Sequence, residues 1–269
     1  MSVIADRFDQ LKRSGRKGFI PFVTAGDPDI ETSLAIVIKL ARLGADVIEL
    51  GVPFSDPVAD GPTIQRSSQR ALANGVNIKT ILSIVERVRK EVDTPIVLFS
   101  YYNPLFRYGL DELSRDAAAA GVDGLLITDV VDEEADDAAR ILGRSGLDLI
   151  SLIAPTTTEK RLARVVGRST GFLYAVSRAG VTGARSDISS DAEALVGRCK
   201  DVSDLPVAVG FGISTRDQIA DVWRYADAAV VGSAIVAEIE RSSNDNAVER
   251  VETLIRGILP QFAISGVEL

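Results

Sequence analysis

Two acidic residues stand out because of where the sequence places them. Glu49 interrupts the apolar run at residues 47–52, whose β-branched content and closing proline, Pro53, are typical of a buried strand. Successive side chains of a strand point to opposite faces, so Glu49 shares a face with Val47 and Gly51. Burying an ionised carboxylate without partners is costly, and burial therefore raises its pKa. A carboxyl group whose pKa lies near the working pH is suited to proton transfer.

The second acid, Asp60, ends the short loop 53–61 that follows this strand. A carboxylate on a strand and one at the end of the next loop can converge on a single pocket and share acid–base work. Each acid also has a plainer interpretation. Glu49 could be a structural carboxylate hydrogen-bonded to the backbone, and Asp60 could cap the following helix, because aspartate is a favoured N-cap residue. Asp56, on the loop between them, is predicted to be exposed.

Composition excludes several other kinds of chemistry. The 269-residue chain contains no histidine, which removes Ser-His-Asp and Cys-His catalysis and every metal site built on imidazole. Its single cysteine, Cys199, cannot form an intrachain disulfide and favours a reducing compartment. The formal charge of −8 argues against an extended nucleic-acid surface. The sequence shows neither an apolar signal core at its start nor an apolar run of the roughly 20 residues that a membrane span needs.

The spacing of apolar segments predicts the fold. Short apolar strands alternate with helices, a pattern that indicates a parallel sheet covered on both faces. Eight strand–helix units in about 250 residues favour a (β/α)8 TIM barrel over a doubly wound open sheet. An amphipathic helix at residues 3–15 precedes them, and no linker interrupts residues 1–269, so we predict a single-domain barrel with an extra N-terminal helix. The first seven predicted strands cover residues 18–26, 46–52, 95–102, 124–130, 148–155, 171–178 and 205–213, and segment 228–236 is predicted to pass from the eighth strand into a helix.

Glycine-bearing turns follow three consecutive strands near the end of the chain. Gly183, Gly212 and Gly232, the last followed by Ser233, come after the sixth, seventh and eighth predicted strands. Glycine lets the backbone approach an anion closely, and helix N-termini present free N–H groups, so these turns predict a phosphate site. The alternative is that the glycines only make tight turns. The small, polar segment 179–190 is predicted to be a mobile lid.

The positions of the lysines narrow the chemistry further. None stands at the C-terminal end of a predicted strand, where a Schiff-base lysine would be needed. A metal-dependent aldolase would normally use histidines, and the chain has none. What remains is carbon–carbon or proton chemistry run by carboxylates on a phosphorylated substrate.

Several stretches resemble one known family. The segment I-E-L-G-V-P-F-S-D-P-V-A-D-G-P at residues 48–62 is similar to the signature of the tryptophan synthase alpha subunit. The stretches P-F-V-T-A-G-D-P at 21–28, Y-A-V-S-R-A-G-V-T-G at 174–183 and V-G-F-G-I-S at 209–214 match the same family. The resemblance runs through nearly the whole chain and implies a (β/α)8 barrel. It also implies a carbon–carbon lyase that cleaves indole-3-glycerol phosphate to indole and glyceraldehyde 3-phosphate, with no cofactor and no metal in this subunit.

The same resemblance implies roles for individual residues. Glu49 would take a proton from the glycerol hydroxyl and deliver one to C3 of indole, while Asp60 would hold the indole N–H and stabilise the positive charge on the ring. The segment 179–190 would close over the substrate and bring Thr182 near Asp60. An apolar indole pocket would be lined by Phe22, Tyr102, Leu126, Ile153 and Tyr174. The phosphate would be held by Gly183, Gly212, Gly232 and Ser233.

The resemblance further implies a partner. The family works with a beta subunit that carries pyridoxal phosphate and joins indole to serine, so a cytoplasmic alpha2beta2 heterotetramer for tryptophan biosynthesis is expected. Loops at the C-terminal face of the strands should form the contact, with Asp56 and the region of Asn103 and Pro104 as candidates. One departure is visible, because Val131 stands where the family pattern has a proline two residues after Asp129. It affects loop geometry and leaves the proton-transfer pair intact.

Three other functions stay open at the level of sequence. A catalytically silent scaffold that only activates a beta subunit is disfavoured by the presence of both Glu49 and Asp60. A stand-alone lyase that releases indole is compatible with every motif. Another phosphate-binding barrel, such as a sugar-phosphate isomerase, is disfavoured by the loop at residues 53–61.

Overall fold

The fold is a closed barrel of eight strands. The computed structural model describes residues 2–176, 189–210, 212–243 and 245–260. The strands are β1 (Gly18–Thr24), β2 (Ile48–Gly51), β3 (Ile96–Ser100), β4 (Gly124–Ile127), β5 (Asp148–Ile153), β6 (Leu173–Val176), β7 (Val207–Gly210) and β8 (Ala228–Val231). Each pairs in parallel with its neighbours in chain order, and β8 pairs with β1 to close the sheet. The predicted (β/α)8 barrel is confirmed.

Helices surround this barrel. A first helix, α1 (Val3–Arg13), precedes β1. The others are α2 (Ile30–Arg42), α3 (Pro62–Ala73), α4 (Ile78–Val88), α5 (Tyr102–Tyr108), α6 (Leu110–Ala120), α7 (Asp132–Arg144), α8 (Glu159–Arg168), α9 (Ser189–Val202), α10 (Arg216–Tyr225), α11 (Ser233–Glu240) and α12 (Ala247–Ile258). Within the described ranges, none of them combines the length and apolarity that a membrane crossing requires.

Two apolar clusters fill the fold. One lies inside the barrel and includes Ile20, Val97 and Ile150. The other lies between the barrel and its helices and includes Phe19 and Leu98, the sequence neighbours of two inner residues. The alternation follows from the strand period of two, and it explains why these strands are apolar on both faces.

The extra N-terminal helix closes one end of the barrel. Its residues Ile4, Phe8 and Leu11 are buried in the inner cluster, with the ring centroid of Phe8 lying 5.6 Å from that of Phe172. Ser2 caps the helix, because its Oγ accepts a hydrogen bond from the N–H of Ala5 at 3.2 Å. These contacts lie at the strand N-termini, so α1 seals the end opposite the expected site.

Replacing Phe8 by alanine is expected to destabilise the fold by about 3–5 kcal/mol, because it opens a cavity where the helix meets the barrel interior. Urea unfolding followed by circular dichroism measures the change in unfolding free energy. Phe106→Ala is the matched control: Phe106 is 67% exposed, and a surface substitution of this kind changes stability by about 0.5 kcal/mol or less. Equal losses in the two variants would contradict the sealing role of α1.

A repeated hydrogen bond joins the strands two by two at their starts. In each pair, a side chain just before the even-numbered strand accepts a hydrogen bond from a backbone N–H of the preceding odd-numbered strand. The donor and acceptor pairs are Phe19 and Asp46 (2.8 Å), Ile96 and Asp123 (2.8 Å), Leu149 and Thr170 (2.9 Å), and Val207 and Asp227 (3.0 Å). The pattern ties β1 to β2, β3 to β4, β5 to β6, and β7 to β8.

The structure departs from the predicted boundaries most clearly after the third strand. The prediction extended this strand to residue 102, but β3 ends at Ser100 and α5, which the sequence did not predict, begins at Tyr102. The side chain of Asp129 accepts a hydrogen bond from the N–H of Tyr102 at 2.6 Å. This contact satisfies one of the free N–H groups at the helix start, so a residue 27 positions away helps to fix the boundary.

Candidate active site

Glu49 lies inside the barrel with its carboxyl group fully buried. Its side chain is completely buried, and neither carboxylate oxygen has a hydrogen-bonding partner among the residues that the structure describes. Burial raises the pKa of Glu49 well above its ordinary value, because nothing compensates for the lost hydration of the charged form. Within residues 2–176, 189–210, 212–243 and 245–260, no backbone group is hydrogen-bonded to Glu49, which disfavours its interpretation as a structural carboxylate. A buried acid left unpaired in this way is able to donate a proton near neutral pH.

The strand register places Glu49 in a layer with three other side chains. Following the pairing around the barrel, the alternate strands contribute Glu49 from β2, Leu126 from β4, Tyr174 from β6 and Val230 from β8. The charge of Glu49 contributes to raising the pKa of Tyr174, after the larger effect of burial. Two predicted pocket residues, Leu126 and Tyr174, thus share the level of the proposed proton-transfer group.

Aromatic rings form the next layer towards the strand C-termini. The centroids of Phe22 and Phe99 lie 5.3 Å apart with their planes at 78°, and Phe99 lies 6.4 Å from Tyr174. Two glycines make room for these rings. A Cβ on Gly51 would stand 2.6 Å from Cζ of Phe22, and one on Gly210 would stand 1.9 Å from the hydroxyl oxygen of Tyr174. Larger residues at either glycine would displace a ring from the site.

A cavity opens above this aromatic layer and includes Asp60 in its wall. The empty space there is about 230 Å³ when the open solvent at the cavity mouth is counted with it. Aromatic and small polar side chains dominate the wall, which is formed by Phe22, Thr24, Gly51, Val52, Asp60, Ile64, Ser68, Phe99 and Tyr101. The cavity lies at the C-terminal ends of β1, β2 and β3, the face on which (β/α)8 barrels carry their sites.

Asp60 is available for chemistry because it does not cap the helix behind it. The N-cap of α3 is Gly61, with Pro62 at the first helical position and no side-chain cap, so the capping interpretation of Asp60 is excluded. Burial raises the pKa of Asp60 to about 6, while a hydrogen bond with Tyr101 acts in the opposite direction. The two acids therefore differ: Glu49 is shielded and strongly shifted, whereas Asp60 ionises just below neutral pH.

The predicted phosphate residues have different local structures. Gly232 is the N-cap of α11, Ser233 is its first residue, and no side chain caps this helix start. A Cβ on Gly232 would lie 3.2 Å from Cβ of Phe22, so this turn adjoins the cavity. Gly212 has a left-handed φ of 80°, a backbone conformation that favours glycine whether or not a phosphate binds there. The interpretation of Gly212 as a tight-turn residue therefore stays open. Gly183 and Thr182, with segment 179–188 of the predicted lid, lie outside the described residues.

Two predicted indole-pocket residues lie elsewhere. Ile153 belongs to the cluster between barrel and helices, and its neighbour Leu152 packs on the inner cluster instead. Tyr102 begins α5, where its ring stacks on Phe106 at 5.8 Å, and the cavity is lined by Tyr101. In both cases the residue that faces the barrel interior or the cavity is the one just before the predicted residue. A shift of one position in a strand, or at its end, turns the side chain to the opposite face.

The sequence missed several wall residues. Thr24 at the end of β1 lines the cavity, and its hydroxyl is hydrogen-bonded at 2.6 Å to that of Ser67 in α3. Phe99 could have been found, because it follows Val97 by the strand period of two. Tyr101 follows Phe99 by the same period within the predicted strand 95–102, so it could have been found in the same way. Thr128, just beyond β4, has a buried hydroxyl without a partner. No three side chains of the metal-binding types lie together in the described part of the chain.

One family model matches most of the chain. A sequence model of the family described as "Tryptophan synthase alpha chain" covers residues 8–260. The chain belongs to the tryptophan synthase alpha chain family. Among its relatives, the tryptophan synthase alpha chain of Citrifermentans bemidjiense is 49% identical over 263 residues, which cover 96% of this chain and 98% of the relative. That of Methanosarcina mazei is 49% identical over 254 residues, covering 94% and 92%.

Solved structures agree with this membership. The tryptophan synthase of Mycobacterium tuberculosis is similar with a TM-score of 0.87 and 40% identity, over 96% of this chain and 99% of the other. The tryptophan synthase complex of Pyrococcus furiosus matches with a TM-score of 0.83 and 38% identity, over 90% and 97%. The tryptophan synthase alpha chain family therefore accounts for both the barrel and the motifs around Glu49 and Asp60.

Proposed function

We propose that this chain is the alpha subunit of tryptophan synthase and cleaves indole-3-glycerol phosphate to indole and glyceraldehyde 3-phosphate, using Glu49 and Asp60. The observation that carries the proposal is the carboxyl group of Glu49, which has no partner in the described part of the chain and is buried beneath a cavity that Asp60 lines. Family membership supplies the reaction, and the two acids supply groups that can run it without histidine.

The cleavage needs one proton delivered and one removed, and a single acid can do both. Protonated Glu49 gives its proton to C3 of the indole ring, which breaks the aromaticity of the pyrrole and leaves positive charge at the nitrogen. The resulting carboxylate then takes the proton of the adjacent glycerol hydroxyl. The C–C bond breaks, its electron pair restores the ring, and the hydroxyl carbon becomes the aldehyde. Glu49 ends protonated, as it began, so this proton transfer needs no other acid or base.

Asp60 balances the charge that builds during this step. Its carboxylate accepts a hydrogen bond from the indole N–H and stabilises the ring when the nitrogen becomes positive. A pKa of about 6 leaves most of Asp60 ionised at neutral pH. The strongly raised pKa of Glu49 keeps its proton available. Two carboxyl groups with different environments thus take different roles.

The remaining contacts divide between the ring and the phosphate. Phe22, Leu126 and Tyr174 are proposed to bound the indole ring, and Phe99 joins them because it packs on Phe22. The uncapped start of α11 at Gly232 and Ser233 offers N–H groups and a favourable helix dipole for the phosphate. We include Gly212, Gly183 and Thr182 in this proposal on the strength of the family resemblance.

The chain is also proposed to work without a cofactor of its own, as one domain of residues 1–269 in the cytoplasm. Pyridoxal phosphate would belong to the beta subunit. A single closed sheet formed by all eight strands supports the one-domain proposal. The lone cysteine, Cys199, is buried and unpaired, which suits a reducing compartment.

The beta subunit is proposed to dock on the loops at the strand C-termini. Three exposed apolar side chains follow consecutive strands there: Val58 (84% exposed) after β2, Phe106 (67%) after β3 and Val131 (40%) after β4. Exposed apolar residues that cluster on one face are typical of interaction sites. Asp56, Asn103 and Pro104 lie on the same loops. Docking on this face would cover the mouth of the cavity and keep indole from escaping.

Substituting Val58 or Phe106 by aspartate is expected to weaken binding of the beta subunit at least about tenfold, because the partner must then bury a charge. Isothermal titration calorimetry with the purified beta subunit measures the dissociation constants. Val3→Asp is the control: Val3 is 52% exposed at the opposite end of the barrel, and this variant should bind as the wild type does. Unchanged binding in both test variants would place the interface on another face.

The reaction itself is tested by incubating the chain with indole-3-glycerol phosphate, with and without the beta subunit, and measuring indole and glyceraldehyde 3-phosphate. Equal amounts of both products, formed faster with the partner, are expected. Product formation that does not respond to the partner would favour the stand-alone lyase. If the complex forms but makes no indole, the scaffold function replaces the lyase.

A further inference from the structure

Tyr101 connects the end of β3 to the loop that carries Asp60. Its hydroxyl oxygen accepts a hydrogen bond from the N–H of Ala59 at 2.9 Å. The same hydroxyl also interacts with the carboxylate of Asp60, which lines the same cavity and whose pKa this contact lowers. Since a carboxylate only accepts hydrogen bonds, the hydroxyl proton points to Asp60 while the oxygen receives the proton of Ala59. One phenol therefore holds two successive residues of the loop.

The loop and Tyr101, which meet in this contact, differ in how exposed they are. The loop at residues 53–61 is largely exposed at Ser55, Asp56, Val58 and Ala59. Tyr101 is only 3% exposed and directly follows the barrel strand. A fixed side chain at the barrel wall thus restrains an otherwise open loop.

The surroundings of Tyr101 leave it little freedom. Its ring centroid lies 5.2 Å from that of Phe54 at the start of the loop. Its carbonyl oxygen accepts a hydrogen bond from the hydroxyl of Ser100 at 2.8 Å. The N–H of the next residue, Tyr102, is bonded to Asp129 at 2.6 Å. Ring, carbonyl and following amide are all fixed, so the position of the hydroxyl is set by the barrel.

We propose that Tyr101 is the positioning residue for Asp60, fixing its carboxylate against the cavity so that it meets the indole N–H. This inference rests on the proposed function of Asp60 and adds a residue that the family motif at 48–62 does not contain. Tyr101 acts through Asp60 and not on the reacting atoms.

The proposed contact should also affect the pKa of Asp60, which can be measured separately from the structure. The hydrogen bond from Tyr101 lowers the pKa of Asp60 and opposes the effect of burial. Burial raises the pKa of the Tyr101 phenol well above its ordinary value, and the nearby charges of Asp60 and Asp129 raise this pKa further. Tyr101 therefore stays protonated while Asp60 titrates. Without the hydroxyl, Asp60 will bind its proton more tightly and be less ionised at pH 7.

The test is Tyr101→Phe, which keeps the ring and removes only the hydroxyl. With the beta subunit present, kcat/KM for indole-3-glycerol phosphate is measured from pH 5 to pH 9. We expect a loss of about 10- to 100-fold at pH 7, the range of a hydrogen bond to a charged group. We also expect the acidic limb of the profile to move to higher pH, so that the loss is smaller at pH 9. Tyr108→Phe is the control, because it removes a hydroxyl that bonds to a carboxylate, that of Asp116 at 2.6 Å, outside the cavity; this variant should match the wild type at every pH.

The double variant Tyr101→Phe/Asp60→Asn distinguishes an error in the role of Tyr101 from an error in the role of Asp60. If Tyr101 works only through Asp60, adding Tyr101→Phe to Asp60→Asn will change the rate by less than about twofold. An additional loss equal to that of the single variant would overturn the positioning role, as would a Tyr101→Phe profile that matches the wild type. If Asp60→Asn alone keeps full activity, the role of Asp60 fails first, and with it the proposed mechanism.

Discussion

Glu49→Gln is expected to lower the rate of indole formation by about 10²- to 10⁴-fold, the contribution of a positioned general acid–base group. Glutamine matches glutamate in size, but it neither donates an acidic proton nor accepts one. The measurement is kcat for indole-3-glycerol phosphate cleavage in the complex with the beta subunit. Glu86→Gln, on the exposed face of α4, is the matched control and should keep full activity. Wild-type turnover in a correctly folded Glu49→Gln variant would rule out the proton-transfer assignment.

The same substitution should alter the pH dependence of stability. Burial raises the pKa of Glu49 in the folded chain, so between the unfolded pKa, about 4.3, and the folded pKa the folded state binds more protons. Its stability therefore falls as pH rises through that window. Glu49→Gln lacks this ionisation, and its unfolding free energy should decline less between pH 5 and pH 8 than that of the wild type. Urea unfolding at both pH values provides the comparison.

Asp60→Asn is expected to lower kcat/KM by about 10²- to 10³-fold, the usual cost of losing one group that stabilises transition-state charge. The variant should also lose a feature of the pH profile. In the wild type, kcat/KM should rise with pH through about 6 as Asp60 ionises, because kcat/KM reports the pKa values of the free enzyme.

Asparagine does not titrate, so that acidic limb should disappear from the Asp60→Asn profile. Asp93→Asn, an exposed aspartate before β3, is the control and should retain the limb. An acidic limb near pH 6 that persists in Asp60→Asn would assign the titration to another group and leave Asp60 without its proposed electrostatic role.

The barrel and the direction of Glu49 were accessible from the sequence because both depend on local periodicity. Eight apolar segments at even spacing predict a parallel barrel, and the period of two fixes which neighbours share a face with Glu49. The absence of histidine directed attention to carboxylates. The motif containing Asp60 then supplied the second acid.

The residues that were misplaced or missed depend on information the local pattern lacks. In β5 both faces are buried, so hydrophobicity does not distinguish Leu152 from Ile153. The boundary at Tyr102 is influenced by Asp129, which lies far along the chain. Tyr101 is linked to the Asp60 loop by a hydrogen bond that spans 42 positions. Pairings of this range arise only when the barrel closes.

The hydrogen bonds at the strand starts divide the barrel into four quarters, each made of two consecutive strands. This division bears on the stage of synthesis at which the chain can become active. Phe22, Glu49 and Asp60 belong to the first strand pair, whereas Tyr101 belongs to the second. The bond between Tyr101 and Ala59 therefore crosses a seam between quarters. A nascent chain that has assembled its first quarter already carries both acids, but Asp60 has no restraint from the barrel wall. Catalytic competence is thus a property of the joined quarters, so it should emerge late in biosynthesis even though its acids are made early.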